Sequence, residues 1–236
     1  MKYKNIVLLG TSHIAKQSLK EVELAIKRQK PDIVALELDR KRLASLMAKK
    51  RPKLRLSDIG RIGLKGFLFN LIGAWAEKKL GEKTGVAPGS EMKKAFMLAK
   101  EKGIKVALID QDIEVTLRKI SKRLTWREKW NFLVDLFKAL VLGKKEIVFD
   151  LRKVPSSSII KKMTKEVKKR YPNVYKVLVE ERNELMAKRL FSISSHNPGK
   201  KILAVIGAGH EDELINLIKD LEPAEQGKIS YSFTMG

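Results

Sequence analysis

Residues 202–210 read Ile-Leu-Ala-Val-Ile-Gly-Ala-Gly-His, and residues 5–13 read Asn-Ile-Val-Leu-Leu-Gly-Thr-Ser-His. Each is an apolar, partly β-branched run closed by Gly-x-x-His, and the two stand near opposite ends of the chain. Neither run alternates with polar residues, so each predicts a strand buried on both faces, as in a parallel sheet covered by helices. The Gly predicts a turn at the strand's end, where a Cβ would clash. His13 and His210 then fall just past the carboxyl edge of the sheet, where open α/β folds place their ligands. The chain holds three histidines, and two of them occupy the same place in a repeated motif.

Working outward, residues 15–29 carry Leu19, Val22, Ala25 and Ile26 at helical spacing, Pro31-Asp32 breaks the pattern, and 33–38 (Ile-Val-Ala-Leu-Glu-Leu) predict a second buried strand. Strand, helix and strand in this order predict parallel pairing through a right-handed crossover. Residues 39–50 read as a basic helix ended by Pro52. The apolar, Gly-containing stretch 56–80, with Phe67, Phe69 and Trp75, reads as a helix packed on the core or on a second copy, or as a surface for membrane or hydrophobic substrate. A helix over 91–102, with Ser90 as N-cap and Gly103 as its stop, leads into a third strand at 104–109.

From 112 to 191 the pattern is nearly all helical. Thr125 caps a helix from Trp126 to Leu142 that Gly143 ends, and helices over 156–170 and 172–191 follow. After the fourth strand, His210 opens a last helix at 211–221, and Ile-Ser-Tyr-Ser-Phe within 223–236 predicts a short strand. The fold class is therefore α/β: a mostly parallel central sheet flanked by helices, with a helical insertion over about 112–198 forming a cap before the last core strand. One domain is expected over 1–236, and the abrupt stop at Gly236 leaves room for further chain.

Fifty Lys and Arg against 27 Asp and Glu give a net charge of +23, which draws a chain to polyanions, whether nucleic acid, anionic lipid or acidic protein. Basic clusters at 40–55 and 161–170 read either as solvated surface or as an anion-binding face. No zinc finger, RNP-like motif or helix-turn-helix supports specific nucleic-acid binding. The absence of Cys excludes disulfides and thiolate metal sites and fits a reducing compartment. Abundant Lys and Glu suit a thermophilic source. Met-Lys-Tyr-Lys runs straight into a strand, so no secretory signal is expected, and no run of about 18 apolar residues predicts a transmembrane helix. The chain is expected in the cytoplasm or peripherally at the inner face of the membrane.

His13, Glu37, Asp110 and His210 each lie at or just after the carboxyl end of a predicted strand. If these strands share one sheet, the four converge on one edge. Two imidazoles with one or two carboxylates suit Zn, Mn, Co or Fe better than Ca or Mg. A metal so held polarises a carbonyl and acidifies a bound water, and a carboxylate such as Glu91 accepts that water's proton. Ordinary helix capping and hydrogen bonding would also account for single members of the set. The Gly-Thr-Ser and Gly-Ala-Gly turns carry a weak phosphate-cradle signal, and His196 reads as a loop residue.

Gly-Thr-Ser-His (10–13), Ala-Leu-Glu-Leu-Asp-Arg (35–40), Pro-Gly-Ser-Glu-Met (88–92), Leu-Ile-Asp-Gln-Asp-Ile (108–113) with Thr116-Leu117-Arg118, Glu181-Arg182-Asn183 and Gly-Ala-Gly-His (207–210) together resemble the TraB/PrgY family, in order over nearly the whole chain. That family is similar to the Tiki metalloproteases and to the wider group of erythromycin esterase and ChaN-like proteins. The resemblance implies an EreA/ChaN-like fold and a metal-dependent hydrolase, peptidase-like, with His13, Glu37 and His210 holding Zn, Mn or Co. It implies catalytic roles for Glu37, Glu91, Arg182 and Asn183, supported by Arg118 and Asp110, with Arg182 binding a substrate carboxylate or a developing oxyanion. It also implies a peptide substrate or peptide pheromone as partner and, as an alternative, a non-catalytic pheromone-binding regulator at a membrane surface. A homodimer through 62–76 is a further expectation. Gln111 stands where the family commonly has Arg, and the pheromone-shutdown relatives carry transmembrane helices beyond this domain.

Overall fold

The computed structural model describes residues 1–11, 16–48, 56–64, 67, 71, 87–141 and 157–222. Five strands form one sheet: β1 (Lys2–Tyr3), β2 (Ile6–Thr11), β3 (Ile33–Leu36), β4 (Lys105–Leu108) and β5 (Ile202–Gly207), in the order β1-β2-β5-β3-β4. β2, β5, β3 and β4 are parallel, and β1 lies antiparallel on β2, so the sheet is mixed.

The four strands predicted from apolar runs are present. The expected direct pairing of the first two is not, because β5 lies between β2 and β3. All six residues of β5 are buried, and the most apolar strand takes the centre, where both edges and both faces are covered. The consequence is that the two Gly-x-x-His strands are neighbours, running from Ile6 opposite Ile202 to Thr11 opposite Gly207.

Period-2 alternation divides each strand between two helical layers. Ile6, Leu8, Ile33, Ala35, Ile202, Ala204 and Ile206 face one side. There they meet Met186, Ala187 and Leu190 of one helix and Leu214, Ile215 and Ile218 of another. Val34, Leu36, Leu203 and Val205 face the other side, against Val22, Ile26, Met92, Ala95 and Ala99.

The helices are α1 (Lys16–Gln29), α2 (Arg40–Met47), α3 (Ser90–Glu101), α4 (Ile113–Arg123), α5 (Trp126–Val141), α6 (Ser157–Arg170), α7 (Pro172–Tyr175), α8 (Glu181–Ser195) and α9 (Glu211–Asp220). A π-helical turn, Lys176–Glu180, joins α7 to α8. Thus α1 and α3 cover one face of the sheet, and α8 and α9 the other.

The local signals mostly act as read. Thr125 and Glu128 close a reciprocal capping box at α5, with Glu128 Oε2 accepting from the Thr125 N–H at 3.0 Å. Gly103, at φ +66°, ends α3 with the Ile104 N–H bonded to the Ala99 carbonyl at 2.8 Å. Ser90 is not the cap of α3. Gly89 holds that position at φ +78°, and Ser90 is the first helical residue, its hydroxyl turned back to the Ala87 carbonyl. The basic helix α2 ends at Met47, short of Pro52, and is capped by Asp39 through the N–H groups of Lys41 and Arg42. Within the apolar stretch, Ile62 and Phe67 pack on Leu117 of α4. Phe69, Trp75, Leu142, Gly143 and the predicted tail strand lie outside the described residues.

Candidate functional site

Beyond Leu36, β3 continues to Glu37, whose N–H still bonds the Val205 carbonyl at 3.1 Å. Alternation from Ile33 and Ala35 sends the Glu37 side chain toward the layer of α8 and α9. Four elements meet there: the end of β3 with Glu37, the end of β4 with Asp110, α8 with Arg182 and Asn183, and the start of α9 with His210.

Glu37 and Asp110 are each 2 % exposed. Arg182 Nε and Nη2 donate to the two Asp110 oxygens at 2.9 and 2.8 Å, and Nη2 also donates to Glu37 Oε1. Its Nη1 donates to the Leu178 carbonyl at 2.9 Å, inside the π turn. A π turn departs from the i to i−4 ladder, and turns of this kind recur at functional sites. Burial alone would lower the pKa of Arg182, but the charges of Glu37 and Asp110 outweigh it and hold the guanidinium above its ordinary value. The bidentate fork is a geometry lysine cannot supply.

Each carboxylate has further donors. Glu37 Oε2 accepts the Gly207 N–H at 2.6 Å. Asp110 accepts from the Gln111 N–H and from Arg42 Nη1, both at 2.7 Å. Arg189, seven residues after Arg182 and so on the same helix face, donates to the Asp110 carbonyl at 2.6 Å.

His210 is the N-cap residue of α9. Its Nδ1 lies 2.5 Å from Asn183 Oδ1, and its Nε2 lies 3.4 Å from Glu37 Oε1. Asn183 is fully buried, and its Nδ2 donates to Glu213 Oε2 at 2.7 Å. A carboxylate accepts only, so Glu213 fixes which end of the amide faces the imidazole. Oδ1 then accepts from Nδ1–H, and Nε2 is the ring nitrogen turned toward Glu37.

The two motifs are also tied together. The Gly10 N–H donates to Glu211 Oε1 at 2.9 Å. The turn expected at Gly10 is absent: Gly10 is paired with Ile206 inside β2. Glycine serves close approach there: a Cβ would stand 2.5 Å from Glu211 Cδ and 3.0 Å from Ala208 Cα, so it would displace the carboxylate that caps the Gly10 N–H.

Of the residues expected at the site, Glu37, Asp110, Arg182, Asn183 and His210 are brought together. Glu91 is buried in the first turn of α3, in the layer across the sheet from α8 and α9. Arg118 is exposed on α4. His13 lies outside the described residues, two positions after Thr11. Among the described residues no three His, Asp or Glu side chains close into a metal-binding group. Sequence reasoning passed over Arg42, Arg189, Glu211 and Glu213. Glu213 stands three residues after His210 in the acidic first turn of α9, hence on its side of the helix, and that spacing is the signal that could have found it.

The profile of the TraB/PrgY/gumN family matches residues 2–222. The chain belongs to this family. An uncharacterized protein of Methanocaldococcus jannaschii is 39% identical to this TraB-family chain over 224 residues, 92% of the chain and 54% of the relative. TraB domain-containing proteins of Mus musculus and Homo sapiens are 25% and 24% identical over 230 residues, covering 87% of the chain and 60% of each relative. The TraB-family chain thus spans little more than half the length of the curated relatives it matches. Among its described residues no helix is long and apolar enough to cross a membrane.

Proposed function

We propose that this edge of the sheet is the centre of a metal-dependent hydrolase acting on a peptide or related amide. The observation that carries the reading is the setting of His210. Its Nδ1 is oriented by Asn183, which Glu213 orients in turn, and its Nε2 faces Glu37 Oε1 at 3.4 Å. Metal-bound histidines are oriented in this way through their second nitrogen. Two ligand atoms each ~2.1 Å from a tetrahedral ion stand ~3.4 Å apart, so the spacing fits a shared ion.

His210 and Glu37 would hold the metal, Zn, Mn or Co, with His13 as a third ligand. Bound there, such an ion supplies polarisation of a carbonyl and a more acidic water. Arg182 acts through Glu37 and Asp110: four of its five N–H donors go to Asp110, Glu37 and the Leu178 carbonyl, so its main part is to position Glu37. Arg42, whose side chain is 33% exposed, and the exposed Arg189 are the cations beside Asp110 left to meet an anionic group of a substrate. The donors already on Glu37, from Arg182 and the Gly207 N–H, support a second reading, a non-catalytic peptide- or pheromone-binding regulator at a membrane whose histidines bind ligand or only stabilise the fold.

Metal content after chelation and reloading with Zn, Mn or Co separates the two. The expected result is about one equivalent retained by the native protein, none by His210→Ala, and a 10- to 100-fold weaker affinity, roughly, in Asn183→Ala. Retention of no metal by the native protein, or equal retention by His210→Ala, overturns the proposal.

A further inference from the structure

Helix α5 is amphipathic in the wrong sense for a surface helix. Its polar residues face the protein: Glu128 accepts from the Asn173 and Val174 N–H groups at 2.7 and 3.3 Å, Asn131 donates to the Arg170 carbonyl at 2.9 Å, and Asp135 pairs with Arg170 and Tyr171. Three of its apolar residues face away. Trp126, Trp130 and Leu133 are 82 %, 68 % and 55 % exposed. At about 100° per residue these three share one arc about 60° wide, directly opposite Asp135. A surface helix normally buries such a stripe against its own core.

We propose that this stripe docks on an anionic lipid surface. Arg127 and Lys129 flank it, with Lys129 Nζ 3.9 Å from the centre of the Trp126 ring. Both acidic residues of α5 are withdrawn from the outer face, Glu128 by burial and Asp135 by Arg170. Indole rings with cationic neighbours match the headgroup layer, where an apolar body and a polar edge are both satisfied. A second copy is a poor occupant, because it would bring two +23 chains and their flanking cations face to face. Single-stranded nucleic acid wants a groove with successive rings; this stripe lies on a convex helix and continues into Leu133. The inference is independent of the chemistry at the sheet edge.

The test uses the whole chain with phosphatidylcholine vesicles, with and without phosphatidylglycerol, at about 0.15 M salt. Binding is expected only with the anionic lipid, and Trp126→Ser/Trp130→Ser should weaken it about tenfold or more with circular dichroism and Tm unchanged. In a Trp75→Phe background, brominated lipid should quench the fluorescence of the two remaining indoles, a readout that does not depend on how the double variant folds. Four results overturn the proposal: no binding by the native chain, equal binding by the double variant, no quenching, or Trp-dependent self-association or single-stranded DNA binding in place of vesicle binding.

Discussion

Replacing Arg182 with Met keeps most of the side chain's length and removes its charge and donors. Arg182 makes two bonds to Asp110, one to Glu37 and one to the Leu178 carbonyl. Both carboxylates are buried, and breaking a buried ion pair from one side costs about 3–5 kcal/mol, because a charge is left without its partner. Part of that cost is offset here. Asp110 keeps Arg42 and the Gln111 N–H, and Glu37 keeps the Gly207 N–H. The expected loss is therefore about 3 kcal/mol, a large share of a typical 5–15 kcal/mol. Equilibrium unfolding in urea at pH 7 measures it, with an unchanged m-value showing that the transition is still two-state. The loss should shrink toward pH 5, since a buried carboxylate lacking a counter-charge is cheaper when protonated. Adding Glu37→Gln should recover part of it for the same reason. A loss below about 1 kcal/mol, or one equal at pH 5 and pH 8, would refute the view that Arg182 neutralises this edge of the sheet.

Gly10→Ala should cost about 2 kcal/mol by driving a Cβ into Glu211, and Glu211→Ala in the same chain should relieve most of the added strain in a double-mutant cycle; purely additive losses would place the constraint elsewhere. Burial raises the pKa of Glu128, but donors from Thr125 and Asn173 outweigh that and hold it below the ordinary glutamate value. Its stabilisation is therefore full above about pH 4.5 and is lost as pH falls through the lowered value. Glu128→Gln should thus cost about 1–2 kcal/mol at pH 7 and progressively less as the pH is lowered below about 4.5, read from thermal unfolding across that range.

The sequence by itself determined the four core strands, the carboxyl-end placement of Glu37, Asp110 and His210, and the caps at Thr125 and Gly103. All of these follow from local pattern: unbroken apolar runs, a residue's distance from the end of a run, and the chemistry of orphaned helix N–H and C=O groups. Only the tertiary structure decided that β5 slides between β2 and β3 and makes the two Gly-x-x-His strands neighbours, because strand order depends on which face and edge can be covered, and no short window of sequence records that. The same holds for Arg182, whose partners stand 72 and 145 residues away. It holds for Gly10 as well, whose close neighbour is a glutamate 201 residues distant and which makes no turn. α5 gives the clearest separation: its Thr125 cap and its period showed a helix, but the polar bonds that turn Trp126, Trp130 and Leu133 outward come from α6, α7 and their junction, which a helical period cannot encode.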